Sequence, residues 1–231
     1  MDRQGNTYTF LYASVMVIVV AALLAFVSES LKERQNKNVE VAKKIDILKS
    51  VNIESTAKDA EAKYEKYIGK NAYILNNNGE KQAGEAFDVD LAKEIKKDDA
   101  ERAFPLYECK MDDGSVKYVI PVRGKGLWGP IWGYISLNDD KNTVFGATFG
   151  HKGETPGLGA EIDKVFFQKP FSGKKIFDAS SKFVSVDVVK VGQSAGNVHA
   201  VDGISGGTIT SKGVSEMLKD CLSGYEKFLK N

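Results

Sequence analysis

Residues 115–150 read SVKYVIPVRGKGLWGPIWGYISLNDDKNTVFGATFG. Three pieces of this stretch, 115–124, 131–138 and 143–150, are rich in β-branched and aromatic residues, and Gly, Asn and Asp turns separate them. Such short runs between turn residues are strand signals, and their close spacing predicts an antiparallel meander. Upstream, FPLYE (104–108) reads as a strand, and AYILNNNGEK (72–81) as a strand entering an Asn-Gly turn. VDLAKEIKK (89–97) reads as a short helix with Asp88 or Asp90 near its cap, and STAKDAEAKYEKYI (55–68) as a longer one capped by Ser55. Downstream, IDKVFFQKPFSGKKI (162–176) opens helical and ends in a Pro/Gly break, and KFVSVDVVK (182–190) alternates as a strand. In the last segment Val214, Met217, Leu218, Cys221, Leu222 and Tyr225 repeat at helical spacing. Strands in meander order with helices before and after predict an α+β fold, an antiparallel sheet flanked by helices, rather than a doubly wound one.

The N-terminus carries a different signal. FLYASVMVIVVAALLAFV, residues 10–27, holds no charge. At 1.5 Å per residue such a helix reaches about 27 Å, close to the thickness of a bilayer core. Tyr8 and Tyr12 suit the interface. A cleaved signal peptide is the rival reading; the run is long for one, and no compelling small-residue cleavage site follows. The expected organisation is a tail (1–9), a single transmembrane helix (10–28), a polar helical connector (29–70) and a domain (71–231). Lys and Arg are denser after the span than before it, which by the positive-inside rule favours a cytoplasmic domain.

Composition narrows the function classes. The 231 residues hold 32 basic and 31 acidic side chains, so no basic excess points to nucleic acid. Cys109 and Cys221 make no CxxC or metal-type spacing and read as structural, with a disulfide between them left open. His151 and His199 lack partners at ligand spacing, so no metal site is expected.

The chemistry concentrates in DGISGGTITSKG, residues 202–213. Four hydroxyls (Ser205, Thr208, Thr210, Ser211) and four glycines stand directly before the amphipathic segment. Gly206 and Gly207 permit close approach and positive φ. A helix starting near Ser211 to Val214 offers unpaired N–H groups and the positive end of a dipole, a generic seat for phosphate. The plainer reading is a cap turn, with Thr210 or Ser211 as N-cap. No Gly-Lys-Ser/Thr follows at Walker spacing.

Asp202-Gly-Ile-Ser-Gly-Gly-Thr208-Ile-Thr resembles the flavinylation motif of the FMN-binding domain family, with Gly207 where that family usually has alanine. The resemblance implies covalent FMN on Thr208 through a phosphoester, attached by a flavin transferase that uses FAD and reads Asp202 and Ser205 of a motif that includes Gly206 and Gly207, with Thr210 as fallback site. HKGETPGLGAEI (151–162) resembles the family's Glu-Thr-Pro-Gly-Leu-Gly loop. This implies cofactor-binding roles for Glu154, Thr155, Gly157, Leu158 and Gly159, and for Thr210. GKGLWGPIWGYISLN (124–138) resembles its Gly-Leu-Trp loop, with Trp128 or Trp132 stacked near the flavin and Arg123 and Lys125 close by. Anchor and motifs in this order are similar to flavoprotein subunits that relay electrons in two membrane complexes. One is a sodium-translocating NADH:quinone oxidoreductase, which the Gly-Leu-Trp-Gly context favours; the other is an Rnf-type ferredoxin:NAD complex. The resemblance further implies partner subunits, a lipid bilayer around residues 10–28, and an extracytoplasmic domain on the inner membrane, against the charge-based orientation.

Two readings stand beside it. One is a tethered module that binds an anion noncovalently at 202–213. The other is acid–base catalysis by His151 and Glu154, which lacks a nucleophile.

Overall fold

A computed structural model describes residues 5–98 and 100–231 of the chain; the first four residues of the expected tail lie outside the described residues. The chain divides into two compact units, Met1–Lys43 and Lys44–Asn231.

From Asn6 onward the first unit is part of helix α1 (Asn6–Ser50). An 18-residue window of this helix has a mean hydropathy of 2.8 and none of it is buried, so it is long and apolar enough to cross a membrane. Tyr8 and Tyr12 stack at its start.

In the second unit, β1 (Ala72–Leu75), β2 (Lys81–Gln82), β3 (Phe104–Lys110), β4 (Val116–Lys125), β5 (Pro130–Leu137) and β6 (Val144–His151) form one antiparallel sheet. Its order is β2-β1-β3-β4-β5-β6. The meander is therefore the expected one, and Gly79 makes the β1–β2 turn at φ +79°. Side chains alternate across the pleat. Leu106, Ile120, Val122 and Ile135 join the core on one face; Tyr107, Val119 and Tyr134 join a second core on the other.

The second face is covered by the end of α1 and by α2 (Ala60–Tyr67). Ile47, Leu48 and Val51 are fully buried there. The Ser50 carbonyl, the last of α1, has no partner within the helix, and the sheet supplies its donor and a second one to the inner carbonyl of Asp46. Ser136 Oγ reaches the Ser50 carbonyl at 2.5 Å, and Thr148 Oγ1 reaches that of Asp46 at 3.3 Å. Gly146 makes room, since a Cβ there would meet the Ser50 oxygen at 2.4 Å. Residues 44–70 thus belong to the compact unit, which begins earlier than the expected boundary at 71. Ser55 is not a cap; Asp59 Oδ1 instead accepts from the Thr56 amide at 2.6 Å just ahead of α2. Asp90, as expected, caps α3 (Leu91–Glu94) by accepting from the Ala92 amide.

The first face is covered by 3-10 turns, α4 (Val165–Gln168) and α5 (Thr208–Ser223). Val214, Met217, Leu218 and Leu222 of α5 are buried against the sheet. Glycines set the spacing: a Cβ on Gly213 would lie 2.4 Å from the Lys125 oxygen, and one on Gly124 2.7 Å from Met217 Cβ. The expected strand 182–190 shrinks to β7 (Asp187–Val189), because Ser185 takes positive φ and interrupts the extended run. β7 pairs in parallel with β8 (Ala200–Asp202). The terminal helix breaks after Ser223 and resumes as α6 (Glu226–Lys230). Between them, buried Tyr225 donates its hydroxyl to the Pro105 carbonyl at 2.7 Å.

Cys109 and Cys221 are free thiols, which closes the disulfide option. Burial pushes the Cys109 thiol up to about 12 and the Cys221 thiol up to about 11.

Candidate functional site

The site begins where β8 ends. The Gly203 amide bonds the Val189 carbonyl at 2.7 Å and continues the parallel ladder. The chain then turns through Gly206, at φ +75°, which a side-chain-bearing residue rarely adopts. The Gly207 amide closes the turn on the Ile204 carbonyl at 3.0 Å. Helix α5 starts at Thr208, ahead of the start near Ser211 to Val214 that the sequence suggests. Neither Thr210 nor Ser211 is its N-cap; that position is Gly207, with no side chain to cap. Ser211 Oγ reaches back from inside the first turn and accepts the Ile204 amide at 3.0 Å. The first bond of the helix runs from the Ser211 amide to the Gly207 carbonyl at 2.9 Å. The amides of Thr208, Ile209 and Thr210 precede that bond, at the positive end of the helix dipole.

The hydroxyls of this turn have unlike surroundings. Ser205 and Thr208 are exposed, whereas Thr210 is 2% exposed and Ser211 4%. Thr210 Oγ1 donates to Glu154 Oε2 at 2.5 Å. A buried, engaged hydroxyl does not suit a bulky modification, so Thr210 is no fallback for Thr208. Asp202 Oδ1 accepts the Ser194 amide at 3.0 Å. The amides of Gly192 and Ser194 hold its carboxyl below the usual range, and it ties the preceding loop to β8.

The 154–159 loop follows β6 and packs against this turn. Gly157 takes φ +76°, and its amide reaches Glu161 Oε1 at 2.9 Å. The Thr155 carbonyl accepts from the Leu158 and Ala160 amides, while its side chain is exposed. Leu158, 41% exposed, lies over Gly206, where a Cβ would meet its Cδ2 at 2.6 Å. Gly159 sits against Thr210 and Glu154.

The Gly126–Gly129 turn joins β4 to β5 beside the same loop, closed by a 2.8 Å bond from the Gly126 amide to the Gly129 carbonyl. The Trp128 amide donates to Glu154 Oε1 at 2.8 Å, and its indole is 69% exposed. Trp132 lies instead on β5 over Gly150. Arg123 exchanges backbone contacts with Cys221 Sγ, and Lys125 is exposed. Burial raises the Glu154 pKa, but hydrogen bonds from Thr210, Trp128 and Leu127 outweigh it and hold the carboxyl below its ordinary value.

His151 Nδ1 accepts the Glu154 backbone amide at 3.1 Å, while the Glu154 carboxylate points elsewhere. The pair is not an acid–base couple, and catalysis by it is set aside.

The structure thus brings together Trp128, Glu154, Leu158, Gly159, Gly206, Gly207 and Thr210, with Thr208 exposed at their edge. Sequence reasoning missed that Glu154 is the shared acceptor, and that Gly126 leaves room for it. Gly-Lys-Gly at 124–126 was the available signal, since glycine at a strand end often marks close approach.

An FMN-binding domain model matches residues 126–223. The sheet, the glycine turn and the helix that begins at Thr208 define an FMN-binding domain, behind one long apolar N-terminal helix. The NqrC protein of the Na(+)-translocating NADH-quinone reductase of Vibrio vulnificus (strain YJ016) is 32% identical over 92% of this chain and 89% of its own. Its Pseudomonas aeruginosa counterpart is 30% identical over 100% and 97%. The crystal structure of the Parabacteroides distasonis counterpart superposes with a TM-score of 0.81, at 50% identity, over 87% of this chain and 98% of that one. The chain belongs to the NqrC family, whose members are subunits of the Na(+)-translocating NADH-quinone reductases, multisubunit oxidoreductases.

Proposed function

We propose that the chain carries FMN in phosphoester linkage to Thr208 and relays electrons between redox centres of a sodium-translocating NADH:quinone reductase. The observation that carries this reading is the contrast between neighbouring threonines: Thr208 is exposed at the first position of α5, and Thr210 is buried and bonded. A phosphodiester on Thr208 keeps about one negative charge next to free amides, where a helix terminus stabilises it by about 0.3–1 kcal/mol. Gly206 and Gly207 keep side chains out of its way, and exposed Trp128, Leu158 and Ile209 offer apolar surface to an aromatic ring. When bound, the flavin supplies one- and two-electron chemistry; the protein binds and orients it.

Attachment requires a flavin transferase with FAD as donor. The Thr208 oxygen forms the bond to phosphorus, the pyrophosphate bond of FAD breaks, AMP leaves, and the hydroxyl proton passes to the transferase. Residues 10–28 sit in the lipid of the inner membrane, and the domain faces the extracytoplasmic side, beside the other subunits. A domain shielded from added protease in cells with the outer membrane opened would reverse that orientation.

The test is the intact mass of the chain co-expressed with a flavin transferase, beside Thr208→Ala. The expected result is an added FMN minus water in the wild type and none in the variant. An unmodified wild type, with the transferase active on a control, leaves noncovalent anion binding in its place.

A further inference from the structure

Glu154 would be the obvious polar contact for a cofactor, yet both its oxygens are used inward. Oε2 takes the Thr210 hydroxyl at 2.5 Å and Oε1 takes the Trp128 amide at 2.8 Å. The residue is only 5% exposed. Its own backbone amide is held by His151 Nδ1 at 3.1 Å. A carboxylate taken from water is costly unless donors replace the lost hydration. Here the donors come from separate parts of the chain: the β4–β5 turn and the first turn of α5. The walls fit it closely. A Cβ on Gly126 would stand 2.6 Å from Oε1, and one on Gly159 2.6 Å from Oε2. The side chain is therefore a bolt between elements, and no face of it is left for a ligand.

We propose that Glu154 is a positioning residue for the flavin. It latches the 126–129 turn and the 154–159 loop to the first turn of α5, and so holds Trp128, Leu158 and Thr208 in one arrangement before any cofactor arrives. This rests on attachment at Thr208. Groups held in their reactive arrangement react faster than groups that must first be ordered. The latch closes within the chain alone, so it acts on the apo-protein that the transferase meets. Glutamine can keep the arrangement: its oxygen accepts the Trp128 amide and its NH2 donates to Thr210 Oγ1.

The experiment measures the rate of flavin attachment to the full chain, with FAD and a flavin transferase, together with the visible spectrum of the product. Glu154→Ala is expected to slow attachment about tenfold or more, and to shift the flavin bands toward those of free FMN. Glu154→Gln is expected to restore most of the rate and the wild-type spectrum. Thr210→Val removes the bond from the other partner and is expected to reproduce the slowing, which keeps the test open should Glu154→Ala fail to fold. Wild-type rates and spectra in Glu154→Ala and Thr210→Val would overturn the latch, as would a Glu154→Gln protein as slow as the alanine variant. A wild type that takes up no covalent flavin overturns the Thr208 assignment itself, and the latch with it.

Discussion

Gly159 faces Thr210 so closely that a Cβ on Gly159 would stand 2.4 Å from Thr210 Oγ1 and 3.0 Å from Thr210 Cβ. Neither neighbour can retreat, because Thr210 is buried and its hydroxyl is bonded to Glu154. Gly159→Ala is therefore an overpacking change, expected to cost about 1–3 kcal/mol. Gly153, just ahead of that loop and with nothing within 4 Å, is the control, and its alanine variant should stay within about 0.5 kcal/mol of wild type. Urea unfolding of both decides the point; equal midpoints for Gly159→Ala and wild type would show that the loop yields.

Thr210→Val keeps the shape of the side chain and removes a hydrogen bond to a charged acceptor. The expected loss is about 1.5–3 kcal/mol at neutral pH. Its pH dependence has a fixed sign. The folded-state pKa of Glu154 lies below its ordinary value, so its ionised form contributes stability above the unfolded pKa. That contribution disappears as pH falls through the folded value. The gap between wild type and Thr210→Val should therefore be largest near neutrality and narrow on acidification. A gap that widens in acid would mean that the bond is not to a carboxylate.

The thiols give a third check. With their pKa values pushed up to about 12 and about 11, Cys109 and Cys221 are almost entirely protonated at neutral pH, and the thiolate is the reactive form. A disulfide-exchange reagent is expected to label them slowly in the folded protein and both quickly in denaturant. Reductant should change neither mass nor gel mobility. Fast labelling of Cys109 in the native state would contradict its place between sheet and helix.

The end of α1 supplies a fourth. Leu48 is fully buried, and Leu48→Ala should cost about 2–5 kcal/mol. A fragment starting at residue 44 is expected to fold, with a cooperative unfolding transition. One starting at 71 loses Ile47, Leu48, Val51, Tyr64 and Ile68 from the second core, and is expected to aggregate or stay unfolded. Two fragments of equal stability would restore the boundary at 71.

The meander was legible because β4, β5 and β6 advertise themselves locally, through alternation between turn residues. What escaped depends on partners far along the chain. The sequence puts the start of α5 too late because Thr210 and Ser211 look like caps, and nothing local says that Ser211 reaches back to Ile204 while Gly207 holds the cap position. The run 182–190 looked uniformly extended, yet positive φ at Ser185 cuts it. The three motifs around the site were each readable. Their junction was not, because Glu154 meets Thr210 across 56 positions, and the motif resemblance points Glu154 at the cofactor rather than at a threonine of the neighbouring helix. The tail of α1 looked like a connector for a similar reason: its buried stripe is narrow, and the Ser136 hydroxyl that meets its last carbonyl comes from the far side of the sequence.

Helix α5 begins at the residue proposed to be modified, and the chain after it is pinned back by Tyr225 to Pro105 and by the Lys141 ammonium to the Phe228 carbonyl. The turn is thus shaped by the segment that follows it, from α5 to α6. A chain cut within α5 presents the 202–213 stretch as sequence but not as shape, so recognition that depends on shape is expected to fail on it.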